Sequence, residues 1–242
     1  MQPRIFAPGL TEGPLDLDPD ASHHLGKVLR LRAGDTITLF DGKGYEAQAV
    51  IDAMDRALVR VTAQSPVAIN RESPIDITVV QSLCTGDKMD WVVQKATELG
   101  AARVIPLSAD RSVLKLDGSR MEKRVSHWRG IAQASTAQSG RTHQPEITPV
   151  MSFTEMLQWW RNQPRPITGW CLDPFATTSL GQSSIQGPLV ILVGPEAGWT
   201  DTEETQAKAA GFLGIRCGPR ILRTETAAAA LLAAVAVKLG EF

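Results

Sequence analysis

Two short stretches of this 242-residue chain combine turn-forming residues with groups that can do chemistry. The first is Val193-Gly194-Pro195-Glu196-Ala197-Gly198-Trp199. It leaves a fully apolar run at residues 189–193 and precedes Thr200-Asp201-Thr202-Glu203, a helix start by its cap-forming and acidic residues. Glycine lets a backbone approach a ligand closely, and proline stiffens the turn. An acid in such a loop, here Glu196, can accept a hydrogen bond from an amine or a ribose hydroxyl, or stand solvated on a tight turn. The second stretch, Cys217-Gly218-Pro219-Arg220-Ile221-Leu222-Arg223-Thr224-Glu225-Thr226-Ala227, also follows a short apolar run and opens a helix. Thr224 or Thr226 is expected to cap that helix, and Glu225 suits its positive end. Arg223 does not, because a cation at a helix N-terminus is disfavoured. It calls for an anion: Glu225, Glu196 or a substrate phosphate.

Other basic residues invite a similar question. His23, His24, Lys27, Arg30 and Arg32 fall within ten residues that contain no acid. That pattern suits phosphate contact or a solvated helix face. Arg111 and Arg141 lie in the polar segments 108–112 and 138–141 at element ends, where each can touch RNA or pair with an acid. His127, beside Trp128 on a predicted helix, reads as structural. Several chemistries are argued against. No GxGxxG follows a strand and no GxxxxGK[ST] occurs, which removes nicotinamide and nucleoside triphosphate sites. There is no HExxH and no GxSxG. Cys84, Cys171 and Cys217 lie far apart without CxxC spacing, so neither a zinc site nor a disulfide framework is expected, and a reducing cytoplasm fits.

The elements that must position these groups fall into two textures. Residues 1–70 are strand-rich: 36–40 is β-branched and apolar, Asp41-Gly42-Lys43-Gly44 turns, and 45–51 alternates, together a hairpin signal. Residues 57–62 are expected to add a strand, and helical pattern is confined to 23–31. A linker at 64–74 follows, with two prolines. From residue 75 to 242 strands and helices alternate. Strands are predicted at 75–83, 104–107, 167–172, 189–193 and 213–217, with helices at 87–99, 119–138, 153–160, 202–210 and 226–239. Such alternation implies a mostly parallel sheet covered on both faces, with ligands at the carboxyl ends of its strands. Three loops are thereby singled out: 172–175, 194–200 and 218–225. The net charge of −1 gives no global drive towards a polyanion, so any polyanion partner must be met by a local patch. The longest apolar stretch, 227–237, is shorter than the roughly 20 residues a bilayer requires. Residues 1–10 lack the pattern of a signal peptide.

Taken together these motifs resemble the RsmE family, the 16S ribosomal RNA uracil-N3 methyltransferases of the SPOUT superfamily. The resemblance rests on His24-Leu25 with Val28-Leu29-Arg30, Asp41-Gly42-Lys43-Gly44, Gln94-Lys95-Ala96-Thr97-Glu98-Leu99-Gly100, Arg111-Ser112-Val113, Gln138-Ser139-Gly140-Arg141, the Gly194 loop and residues 220–227. It implies an α/β fold in which a PUA-like, RNA-binding β-barrel (1–70) precedes a SPOUT domain (75–242) with a deep C-terminal trefoil knot. It implies a homodimer that binds S-adenosylmethionine and methylates N3 of one uridine in 16S rRNA of the small subunit. The cofactor would be held by Leu172 in the first loop, Val193, Gly194, Pro195, Glu196 and Gly198 in the second, and Cys217, Gly218, Ile221, Leu222, Thr226 and Ala227 in the third. Arg223, Glu225 and Glu196 are the catalytic candidates, with Arg223 stabilising anionic uracil or holding its phosphate and one of the two acids orienting it or taking the proton. His24, Lys27, Arg30, Arg32, Arg111 and Arg141 are the RNA-binding candidates. No metal and no membrane are expected. The chain departs from the family pattern at Ala197, where Gly is usual, at Ala137, where Glu is usual, and at Cys217, where Leu is common. A related enzyme acting on another rRNA or tRNA base, or a non-catalytic RNA-binding protein of this fold, are the alternatives.

Overall fold

The computed structural model describes residues 2–55, 58–114 and 118–242. The chain divides into two compact units. One comprises residues up to Glu72 together with Gln133–Gln144, the other Ser73–Ala132 with Pro145–Phe242.

The first unit is built on a six-stranded sheet of β1 (Arg4–Phe6), β2 (Gly13–Asp16), β3 (Thr36–Phe40), β4 (Tyr45–Met54), β5 (Val59–Ala63) and β6 (Val67–Ala68). The order is β1-β3-β4-β5-β2, with β6 on β4; β1 runs parallel to β3, and the other pairs are antiparallel. The expected hairpin is β3–β4. Its turn is held by Asp41, whose Oδ1 accepts from the N–H groups of Lys43 (2.7 Å) and Tyr45 (3.0 Å). Alternate residues of β4 and β5, among them Ala49, Ile51, Val59 and Val61, face one core with Leu25 and Leu39. The strand expected from residue 57 starts at Val59; Ala57 lies outside the described residues.

The helix expected over 23–31 is different. α1 (Pro19–His23) begins upstream, with Asp18 capping the Ala21 N–H at 2.7 Å and Pro at the first position. A π-turn over His24–Val28 follows, and the chain leaves it through Arg30 at φ 55°. Leu25, fully buried, anchors the turn.

Within this unit Arg141 has a structural place. It is 4% exposed, and its guanidinium is engaged by Glu72; Arg71 meanwhile donates to the Gly140 carbonyl at 2.8 Å. Removing one partner of a buried pair leaves the other charge uncompensated. Arg141→Ala is therefore expected to lower the unfolding free energy by about 3 kcal/mol in denaturant titrations. A loss under about 1 kcal/mol would show a pair screened like a surface one.

The second unit carries β7 (Ile77–Ser82), α2 (Lys88–Glu98), β8 (Arg103–Ser108), α3 (Gly118–Ser139, whose last residues belong to the first unit), β9 (Glu146–Ile147) and β10 (Met151–Ser152). Then come α4 (Phe153–Arg161), β11 (Thr168–Leu172), β12 (Leu189–Val193), α5 (Asp201–Ala209), β13 (Leu213–Ile215) and α6 (Thr224–Leu239). The sheet is parallel throughout, in the order β10-β8-β7-β12-β11-β13 with β9 beside β8. β7 and β12 are buried along their whole length, which is why they read as unbroken apolar runs. Alternation still sorts their side chains. Val79 and Ile191 join a core with α2 and α6, through Met89, Val93, Leu231 and Val235. Val80 and Leu192 join the opposite core with α4, through Met156 and Trp160. The strand expected over 213–217 ends at Ile215. β1, β2, β6, β9 and β10 are too short to show a period, and β2 begins on Gly-Pro. No helix of the described residues is long and apolar enough to cross a membrane.

Candidate active site

The order β12-β11-β13 sets the carboxyl ends of three strands side by side, so the three loops selected from sequence converge. Between them lies a cleft of about 700 Å³. Leu172, Val193, Gly194, Pro195, Glu196, Gly198, Cys217, Ile221, Leu222, Arg223 and Ala227 line it, as does Arg111; Gly218, Glu225 and Thr226 do not.

Glycine is favoured twice in the second loop. Gly198 has φ +73°, in the left-handed region, and its N–H closes a turn onto the Pro195 carbonyl at 2.9 Å. A Cβ on Gly194 would lie 3.0 Å from the Trp199 ring. Ala197 is not in the left-handed region, so alanine is accommodated where the family usually has glycine. Arg111 steadies the same loop by donating to the Trp199 carbonyl at 2.8 Å.

Neither threonine caps α6. The N-cap is Arg223, in extended conformation and without a side-chain cap bond. Thr224 sits inside the first turn, buried, and its hydroxyl has another task. It donates to the Gly194 carbonyl at 2.6 Å and accepts from Gln81 Nε2 at 2.8 Å, tying the end of β7 and the Gly194 loop to the start of α6. Thr226 is exposed.

Arg223 is exposed on the cleft wall, and its guanidinium makes no hydrogen bond or ion pair with any described residue. The two acids proposed for it are taken by Lys88, a residue absent from the sequence-based candidates. Lys88 Nζ lies 3.2 Å from Glu196 Oε1 and 3.8 Å from Glu225 Oε2. The Thr85 N–H adds a 3.4 Å contact to Glu196. Burial pushes the Glu196 carboxyl up, but its own backbone N–H, Lys88 and Thr85 outweigh burial and hold it below its ordinary value. The Lys88 ammonium is raised by its bond to Glu196, against partial desolvation, with Glu225 adding to the rise. Burial, and then Glu196 and Glu225, push the nearby Cys84 thiol up to about 12, and burial alone raises Cys217. Both thiols are therefore neutral at pH 7 and poor nucleophiles. No group of side chains able to hold a metal ion occurs among the described residues.

His24, Lys27, Arg30 and Arg32 are all exposed on the first unit's turn and form no salt bridge with described residues. His127 bonds Asp90 at 2.8 Å, and the same carboxylate accepts from Trp128 at 3.0 Å, as suits a structural histidine.

Comparison with known proteins gives this geometry a setting. Residues 71–236 match the RNA methyltransferase domain, and residues 17–62 the RNA methyltransferase PUA domain. The chain belongs to the RNA methyltransferase family. Among its relatives is ribosomal RNA small subunit methyltransferase E of Bacillus subtilis, 33% identical over 88% of this chain and 86% of that protein. The enzyme of that name from Neisseria gonorrhoeae, crystallised with S-adenosyl methionine, is 35% identical and superposes with a TM-score of 0.91 over 98% of both chains. A Legionella pneumophila methyltransferase solved in complex with the same cofactor is 34% identical, with a TM-score of 0.92 over 98% of both chains.

Proposed function

We propose that this chain uses S-adenosylmethionine to methylate N3 of a uridine in 16S ribosomal RNA of the small subunit. The observation that carries the reading is Arg223, an unpaired guanidinium on the wall of a cleft built where the family has its RNA methyltransferase domain. The third loop fits an adenosyl cofactor. The N–H groups of Gly218, Arg220, Ile221, Leu222 and Arg223 donate to nothing among the described residues, and all of these but Gly218 belong to cleft-lining residues. Ring nitrogens and a carboxylate are acceptors suited to such a row. Gly194 keeps a side chain out of the cleft floor.

The cofactor, when bound, supplies a methyl group on a sulfonium. What remains for the protein is alignment and the uracil proton. Uracil N3 is a poor nucleophile until its proton leaves, and alignment of the reacting atoms supplies much of the rate. Arg223 stabilises the anionic base by charge. Of the two acids considered, Glu196 is the one on the cleft wall, ionised and held by Lys88, and it takes the N3 proton as the methyl–sulfur bond breaks and the methyl–nitrogen bond forms; Glu225 does not line the cleft and acts through Lys88. N3 is engaged in normal pairing, so the base is drawn out of its helix. Exposed His24, Lys27, Arg30 and Arg32, with Arg111, contact phosphate. We place the protein in the cytoplasm as a homodimer, with the three loops forming the trefoil knot of the SPOUT superfamily.

Deleting the gene is expected to remove one uridine methyl group from the mass spectrum of 16S rRNA, and complementation to restore it. An unchanged spectrum overturns the proposal. A methyl group lost from tRNA or from another rRNA base would reassign the substrate.

A further inference from the structure

The rim of the cleft carries a side chain that methyl transfer as described leaves unused. Phe175 is 81% exposed on the lining, whereas Phe40, Phe153 and Phe212 are buried. A phenyl ring left in water forgoes favourable burial, so its presentation calls for a reason. The backbone beneath it is braced. Asp173 Oδ1 accepts from the Phe175 N–H at 2.8 Å, and the Ala176 N–H donates to the Asp173 carbonyl at 3.2 Å. The loop is bonded on both sides of the ring: the Asp173 N–H donates to the Ile215 carbonyl at 3.1 Å, and the Arg216 N–H to the Thr178 carbonyl at 2.9 Å. Ile221, 73% exposed, is a second bare apolar side chain on the lining. Arg220 and Arg223 line the same cleft, exposed, and their guanidinium groups have no hydrogen-bond or ion-pair partner among the described residues. Two uncovered apolar faces and two uncompensated cations are the complement of a nucleotide, with its flat base and its phosphate.

We infer that Phe175 is the stacking platform that receives the extruded target base at the mouth of the cleft. This rests on the proposed RNA methyl transfer. A base drawn from its helix loses its stacking neighbours, and an aromatic ring on a preformed loop replaces one of them. Phe175 is then a positioning residue that holds the base while Arg223 meets its charge. The adenine of the cofactor is the competing occupant.

The test compares Phe175→Ala, Phe175→Leu and Phe175→Trp, using methyl transfer to small subunits and calorimetry with S-adenosylmethionine. Phe175→Ala is expected to lower kcat/KM for RNA roughly 10- to 100-fold while changing cofactor affinity by less than about twofold. Tryptophan restores most of the activity and leucine does not, because stacking needs a π-face. Unchanged kcat/KM in Phe175→Ala, or full activity in Phe175→Leu, overturns the inference. A matching loss of cofactor affinity also overturns it and gives the ring to the adenosyl group. Should the parent protein transfer no methyl group to any RNA, the underlying reading falls and the inference with it.

Discussion

Arg223→Ala is expected to bind S-adenosylmethionine within about twofold of the parent and to lose about 10²–10³ in kcat for methyl transfer. The split follows from the geometry. The Arg223 guanidinium makes no hydrogen bond or ion pair with a described residue, so its removal breaks no such tie in the loops that shape the cleft. Thr224, next in the chain, holds those loops together and is untouched by the substitution. What is lost is a cation aimed at charge that develops on the base as its proton leaves. Arg223→Lys keeps the charge but not the planar fork, and should recover only part of the rate. Calorimetry and single-turnover transfer measure the two effects separately. An Arg223→Ala enzyme with parental kcat would sink the role, and one that no longer binds cofactor would move Arg223 into the cofactor site.

The loops of this cleft were legible because their chemistry is local. Apolar runs at 168–172 and 189–193 mark strands, and Asp173-Pro174 after the first, Gly194-Pro195 after the second and Gly218-Pro219 after β13 mark turns. Parallel pairing then obliges the loops to meet. Side-chain partners across long sequence distances were not legible. Thr224 has a hydroxyl that can cap a helix or tie loops together, and only Gln81, 143 residues away, decides between them. Arg141 has the look of an exposed basic residue until Glu72, 69 residues away, is found against it. Arg30 adopts a left-handed conformation that no period announces.

Lys88 was missed although a signal existed. It opens α2 directly after Asp87, so it is a cation at a helix N-terminus, the same anomaly that marked Arg223. In both places the anomaly points to an anion. For Arg223 no such anion lies against the guanidinium among the described residues; for Lys88 it is the pair Glu196 and Glu225. That contrast sorts the cleft's charges into a fixed set and an open one. The fixed set ties the second loop to the start of α6, and the open set lines the cleft, free for the proposed ligand.

The fixed set makes Lys88→Gln the second large perturbation. Two carboxylates, 27% and 16% exposed at their side chains, lose the ammonium between them. Without the Lys88 hydrogen bond and charge, burial pushes the Glu196 carboxyl up from where Lys88 had helped to hold it down. Displacement of Glu196 and its loop is expected to lower kcat/KM by about 100-fold, the scale of a misplacement near 1 Å. The pH dependence distinguishes this from simple unfolding. In the parent, a carboxyl held below its ordinary value of 4.5 contributes stability that is fully present above that value and is lost as pH falls through the lowered one. In Lys88→Gln a raised carboxyl costs stability at neutral pH, and the cost is relieved as it protonates. Acidification from pH 7 towards 5 should therefore raise the melting temperature of the variant relative to the parent, while the acid limb of its pH–rate profile moves to higher pH. Parallel melting curves across that range would mean that Lys88 does not set the charge state of Glu196.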